Sequence, residues 1–187
     1  MINRFQRYLE VIDIQLGEMF EQQKAFIKCK KGCPYCCREG DYTVSELEYI
    51  NMMLYYNTLA DDTKGIINER ISNVLSKNRQ KYYECPFLID GGCSIYPARP
   101  IICRTFGLIS DEGNGKKKIP FCVSLGLNYS EVYDEESSTL KNCEQDGTKP
   151  CAFSIDRKYF RDRELEETFG IFFGEDKSMI DWLKEDY

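Results

Sequence analysis

The chain has no histidine. That absence excludes imidazole acid–base chemistry and the Ser-His-Asp triad, leaving lysine- or carboxylate-based catalysis as the available alternatives. It also means that a metal site rich in protein ligands must be dominated by sulfur. Zinc, iron–sulfur clusters and copper(I) are therefore favoured over magnesium, calcium and non-haem iron. Basic residues are in the minority, with 25 Lys and Arg against 31 Asp and Glu and a net charge of −6, which argues against a general nucleic-acid binder. The run Lys116-Lys117-Lys118 is short and reads as a solvated hairpin tip. No window approaches the roughly eighteen consecutive apolar residues of a membrane-spanning helix. The segment Met1–Glu10 lacks the continuous apolar stretch of a secretory signal, so a cytoplasmic location is expected. No internal repeat and no low-complexity linker interrupts the chain.

What is abundant is cysteine: ten residues in 187. A chain of this length buries a core of its own, so one domain over 1–187 is expected, and it does not need disulfide staples. In a reducing compartment, cysteines at this density read as metal ligands rather than disulfides. Eight fall into two groups: Cys29, Cys33, Cys36 and Cys37, then Cys85, Cys93, Cys103 and Cys122. The motif core thus runs over 29–122, with a C-terminal extension over about 130–187. Cys143 and Cys151 lie in a polar tail and read as ordinary thiols.

Apolar periodicity predicts a mainly α fold with a small irregular α+β cysteine-rich part. Ile2, Phe5, Leu9, Ile12, Leu16, Met19, Phe20 and Phe26 recur at helical steps, predicting an amphipathic helix over about 2–28. Ser45 and Glu48 form a capping box that opens a helix over about 46–57, with Leu47, Ile50, Met53 and Leu54 on one side. A third helix is expected over about 62–80, the three together making the helical core. Asp90-Gly91-Gly92 reads as a tight turn. Pro100 suits the first turn of a short helix over about 100–106, stopped by Gly107. A β-hairpin is expected over about 107–121, turning at Gly113-Asn114-Gly115, and a last helix over about 176–184 docks through Ile180 and Trp182.

A short Cys-x2-Cys loop wraps backbone around an ion with little strain, and Cys33-x2-Cys36 has that spacing. Successive side chains diverge, so Cys36 and Cys37 do not both enter one simple mononuclear site. One of them is left for a second metal, a neighbouring cluster iron or the core. A four-thiolate zinc site or [4Fe–4S] cluster carries a net charge of about −2. Arg99 and Arg104, on either side of Cys103, are placed to counter it and to donate hydrogen bonds to sulfur.

The pattern Cys29-x3-Cys33-x2-Cys36-Cys37, then Cys85-Pro-Phe-Leu, then Cys93-Ser-Ile-Tyr-Pro-Ala-Arg-Pro-Ile-Ile-Cys103-Arg, resembles the CxxCxxCC cysteine-cluster family (YkgJ-like). Three residues separate Cys29 from Cys33 where the family name implies two. The resemblance implies zinc or iron chelation, with Cys29, Cys33, Cys36, Cys37, Cys85, Cys93, Cys103 and Cys122 as metal ligands. The surplus of cysteines over four and the Cys-Pro and Cys-Cys pairs lean toward iron–sulfur, [4Fe–4S], over zinc. The flagellin lysine methylase FliB belongs to the same broader group, so a protein lysine N-methyltransferase is one alternative. S-adenosylmethionine binding has no support in the sequence, because no Gly-x-Gly-x-x-Gly follows a strand. A redox or metal-delivery module docking on a protein partner is another alternative. No residue is singled out as catalytic.

Overall fold

A computed structural model describes residues 1–30, 32–77, 82–111, 117–155 and 159–187. Among them are six α-helices: α1 Ile2–Gln22, α2 Glu46–Asn57, α3 Asp61–Ser76, α4 Ile101–Thr105, α5 Arg163–Phe169 and α6 Met179–Asp186. Short strands form four antiparallel pairs: β1 Thr43–Ser45 with β8 Asp176–Ser178, β2 Leu88–Ile89 with β3 Gly92–Cys93, β4 Ser110–Asp111 with β5 Lys117–Lys118, and β6 Tyr133–Asp134 with β7 Thr139–Leu140. The fold is mainly α with small β parts, as the periodicity predicts. The hairpin turn at Gly113-Asn114-Gly115, Lys116 and residues 78–80 of the expected third helix lie outside the described residues.

The chain divides into two compact units, each discontinuous in sequence. The first comprises Met1–Ile2, Lys31–Cys103 and Gly170–Tyr187; the second comprises Asn3–Lys30 and Arg104–Phe169. Helix α1 belongs to the second unit, α2 and α3 to the first.

In the first unit, Val44, Met52, Tyr56, Ile67, Ile71, Phe87, Ile95 and Leu183 form the core, with Cys85 and Cys93 packed against it. Helix α2 buries Leu47, Tyr49, Met52 and Tyr56, while Ile50 and Leu54 are exposed. The apolar face read from the sequence is thus rotated. Apolar and aromatic residues surround this helix, so hydrophobicity does not choose a face, and aromatic packing does: the Tyr49 and Trp182 rings stack 5.3 Å apart. The start of α2 is heavily satisfied. Glu46 and Leu47 donate their amides to the carbonyls of Glu175 (2.8 Å) and Phe173 (3.0 Å), and the capping box of Ser45 and Glu48 forms as expected.

Residues 176–178, expected to be helical, pair instead with β1, in the register Thr43↔Ser178, Val44↔Lys177 and Ser45↔Asp176. Ser178 is the N-cap of α6, its Oγ accepting the Asp181 amide at 3.1 Å, so the last helix begins at Met179. Ile180 and Trp182 are buried, and Trp182 Nε1 donates to the Val44 carbonyl at 2.9 Å.

In the second unit, α1 buries Phe5, Tyr8, Leu9, Ile12 and Leu16. It ends at Gln22, not near residue 28, and a 3-10 turn follows over Lys24–Phe26. The cause is Gln23, which is fully buried: its Oε1 accepts the Cys151 amide at 2.9 Å and its Nε2 donates to the Lys149 carbonyl at 3.1 Å. Beyond it, Phe26 stacks on Tyr129 in a cluster with Ile109, Val123 and Val132.

Candidate metal centre

The first unit holds Cys33, Cys36, Cys37, Cys85, Cys93 and Cys103; Cys29 and Cys122 belong to the second, together with Cys143 and Cys151. Gly32, at φ +90°, turns the chain into the first group. A 3-10 turn over Tyr35–Arg38 then carries Cys36 and Cys37. Two bonds fix this turn: Cys85 N–H donates to the Cys37 carbonyl at 2.7 Å, and the Tyr42 hydroxyl donates to the Cys36 carbonyl at 2.8 Å.

Cys85 and Cys93 enter on one hairpin. Asp90 and Gly91 both have positive φ, +49° and +76°, the backbone of a two-residue type I′ loop. That loop sets Ile89 opposite Gly92 and Leu88 opposite Cys93. Before the hairpin, Leu88 N–H closes a turn onto the Cys85 carbonyl at 3.0 Å. The amides of Phe87 and Ile95 donate to the sulfurs of Cys85 and Cys93, each two residues along the chain. Backbone amides also donate to the sulfur of Cys36. Such bonds stabilise the anionic sulfur that a soft cation requires.

Cys103 arrives on α4. The Ile101 amide, in the first turn, donates to Glu48 Oε1 at 2.8 Å, and Cys103 N–H bonds the Pro100 carbonyl at 3.0 Å. The other Glu48 oxygen, Oε2, accepts from Ser45 N–H at 2.9 Å and from Ser45 Oγ at 2.6 Å. The capping box is legible in the sequence; the reach of the same carboxylate to a residue fifty-three positions away is not.

Electrostatics single out four sulfurs. Every pairing of Cys36, Cys85, Cys93 and Cys103 carries an interaction: Cys36 and Cys93 make Cys85 harder to ionise, Cys36 does so to Cys93, and all three do so to Cys103. Burial pushes the Cys85 thiol up to about 12, with the Phe87 amide opposing and Cys93 and Cys36 adding to the rise. Burial likewise raises Cys93, against the Ile95 amide and the Arg99 guanidinium. Cys103 is raised well above the usual thiol range by burial and then by Cys85, Cys36, Cys93 and Glu48. At Cys36 the largest cause is its hydrogen bond with the Cys37 thiol, followed by burial. Among the described residues, no three cysteine, aspartate or glutamate side chains stand together in an arrangement that could hold an ion. The four thiols influence one another electrostatically without being gathered at bonding distance. Their chemistry fits a soft, thiophilic cation, which removes the thiol protons and relieves the mutual repulsion.

The two arginines differ. Arg99 lies over the Tyr96 ring, 3.8 Å from its centre, and its charge favours ionisation of Cys93. Arg104 is buried and forms an ion pair with Asp13 in the second unit. There too, Cys29 N–H donates to Asn128 Oδ1 at 2.8 Å.

A cysteine-rich chain with a group of half-buried, electrostatically linked thiols and no imidazole has the chemistry suited to a thiophilic metal. The chain belongs to the CxxCxxCC family, whose model, described as a "putative zinc- or iron-chelating domain", matches residues 28–123, half of the chain. No curated protein and no solved structure matches it. Zinc or iron chelation is the function this membership carries. Among the described residues, no helix is long and apolar enough to cross a membrane.

Proposed function

We propose that the chain holds one four-thiolate centre, a [4Fe–4S] cluster or zinc, on Cys36, Cys85, Cys93 and Cys103. The observation that carries this reading is the mutual coupling of these four sulfurs within one compact unit, with amides already donating to three of them. When bound, either group supplies positive charge that holds the irregular stretch from Cys85 to Cys103 together; a cluster adds one-electron chemistry. Phe87 N–H, Ile95 N–H and Arg99 favour the anionic form of the sulfurs they face. In the metal-free chain the Cys36 thiol donates to Cys37, which fits the divergence of adjacent side chains: one of the pair is left for the centre, the other beside it. Cys33 is a reserve ligand; exposed Cys29 and buried Cys122, which fold with the second unit, are left out of the centre. Methyl transfer rests on the family resemblance alone, and neither it nor a redox or metal-delivery role adds a residue to this assignment.

The test is elemental analysis and a visible spectrum of anaerobically isolated protein. Cys93→Ser and Cys103→Ser should each abolish stoichiometric metal, whereas Cys122→Ser should retain it. Wild-type metal content in the first two variants overturns the assignment. Broad visible charge-transfer absorbance with inorganic sulfide identifies the cluster, and a colourless protein with one equivalent of zinc identifies the ion.

A further inference from the structure

Glu48 is 4% exposed, a carboxylate deep in the first turn of α2, and it has two separate attachments. Oε2 serves the capping box through Ser45 N–H and Oγ, while Oε1 accepts the Ile101 amide at 2.8 Å. Ile101 opens the five-residue helix that carries Cys103 two positions later. A helix this short has little stability of its own, and its first amides have no partner within it. The carboxylate supplies one. Both oxygens of Glu48 are engaged by donors, so it is not spare to ligate an ion itself. A helix cap needs only one of those oxygens, and the second attachment is unexplained by capping.

We infer that Glu48 is a positioning residue for the metal centre: through the Ile101 amide it fixes where α4 begins and so where the Cys103 sulfur stands. The inference rests on the four-thiolate reading above, and its consequences separate from those of capping. Ser45→Ala removes the capping hydroxyl but leaves Glu48 on Ile101. Glu48→Ala removes both functions, and Glu48→Gln keeps the shape with one acceptor oxygen fewer.

The experiment uses cobalt(II) as the probe on the full chain, with Trp182 emission reporting the core of the first unit. In Glu48→Ala, cobalt affinity should fall about 10- to 100-fold, the range for residues that orient metal ligands. Thiolate-to-cobalt charge-transfer intensity per bound ion should fall toward that of Cys103→Ser. Glu48→Gln should lie between Glu48→Ala and wild type, and it decides the matter if Glu48→Ala loses the buried Trp182 signature. Ser45→Ala should lower thermal stability yet keep the wild-type cobalt spectrum and affinity. In the metal-free protein, iodoacetamide should modify Cys103 faster in both Glu48 variants, relative to exposed Cys29 as internal reference. Wild-type cobalt spectra and alkylation rates in the Glu48 variants overturn the inference, as does a loss in Ser45→Ala as large as that in Glu48→Ala. If wild-type protein takes up no cobalt, the four-thiolate reading itself falls, and this role with it.

Discussion

Asn128 shows how one side chain closes a segment that has no regular structure to close it. It is fully buried, and its Oδ1 accepts the amides of Lys28 and Cys29, both at 2.8 Å, while Nδ2 donates to the Gly107 carbonyl at 3.0 Å. Gly107 has φ +114°, and a Cβ there would meet Asn128 Nδ2 at 2.9 Å, so the two residues specify each other. Asn128→Ala leaves several backbone groups without partners and should cost about 3 kcal/mol, read as a lower urea midpoint at unchanged slope. Tyr129, beside it, gives a pH prediction. Burial raises its hydroxyl above the ordinary value of 10.0, with the charge of Cys151 adding to the rise. The folded state therefore keeps this proton while the unfolded chain loses it, so stability falls as pH rises past about 10. The Tyr129 hydroxyl has no hydrogen-bond partner within the protein among the described residues. Tyr129→Phe should accordingly fold at neutral pH with undiminished stability and flatten the alkaline loss, as measured by denaturant titrations from pH 7 to about 11.

Among the secondary-structure elements, the junction of β8 with α2 is the most constrained. Gly174, at φ +71°, follows Phe173 and precedes Glu175, the two residues whose carbonyls take the first amides of α2. A Cβ at Gly174 would lie 2.8 Å from the Glu46 Cβ and closer still to its carboxylate. Gly174→Ala combines a left-handed backbone with that collision. It should destabilise the first unit by about 1–3 kcal/mol, measured by thermal unfolding followed through Trp182 fluorescence. Two features here are legible in the residues themselves: the capping box at Ser45 and Glu48, and the tight turn at Asp90-Gly91. Both are local, since the residues that make each motif lie within four positions of one another. The pairing of β1 with β8 joins residues more than 130 apart and leaves no local trace, so 176–178 read as the first turn of a helix. The rotation of α2 is hidden for a related reason. A helix apolar on most sides is oriented by its neighbours, here Trp182 near the chain's end.

Across the molecule, the division into two units changes what the cysteine pattern means. The motif is continuous in sequence over 29–122, yet Cys29 and Cys122 fold with the second unit. A metal bound to the four coupled thiols should therefore stabilise one unit selectively. Removing it with a chelator should raise amide exchange across Cys85–Cys103 and the start of α2. The amides held by Asn128 and Gln23 should keep their protection. Hydrogen-exchange mass spectrometry of loaded and stripped protein checks this, and equal loss in both units would count against a centre confined to the first.

The order of residues alone narrows the chemistry: without histidine and with ten cysteines, a metal site rich in protein ligands is expected to be sulfur-dominated, and the family membership follows from local spacing that survives in one dimension. The mainly helical composition is established in the same way, because amphipathic periodicity and caps act over a few residues. Which sulfurs become neighbours is settled in three dimensions. That choice depends on Glu48 reaching Ile101, on Cys85 bonding to Cys37 and on the chain's last residues pairing with β1. Each is a contact between distant segments, and none has a signature at either end alone.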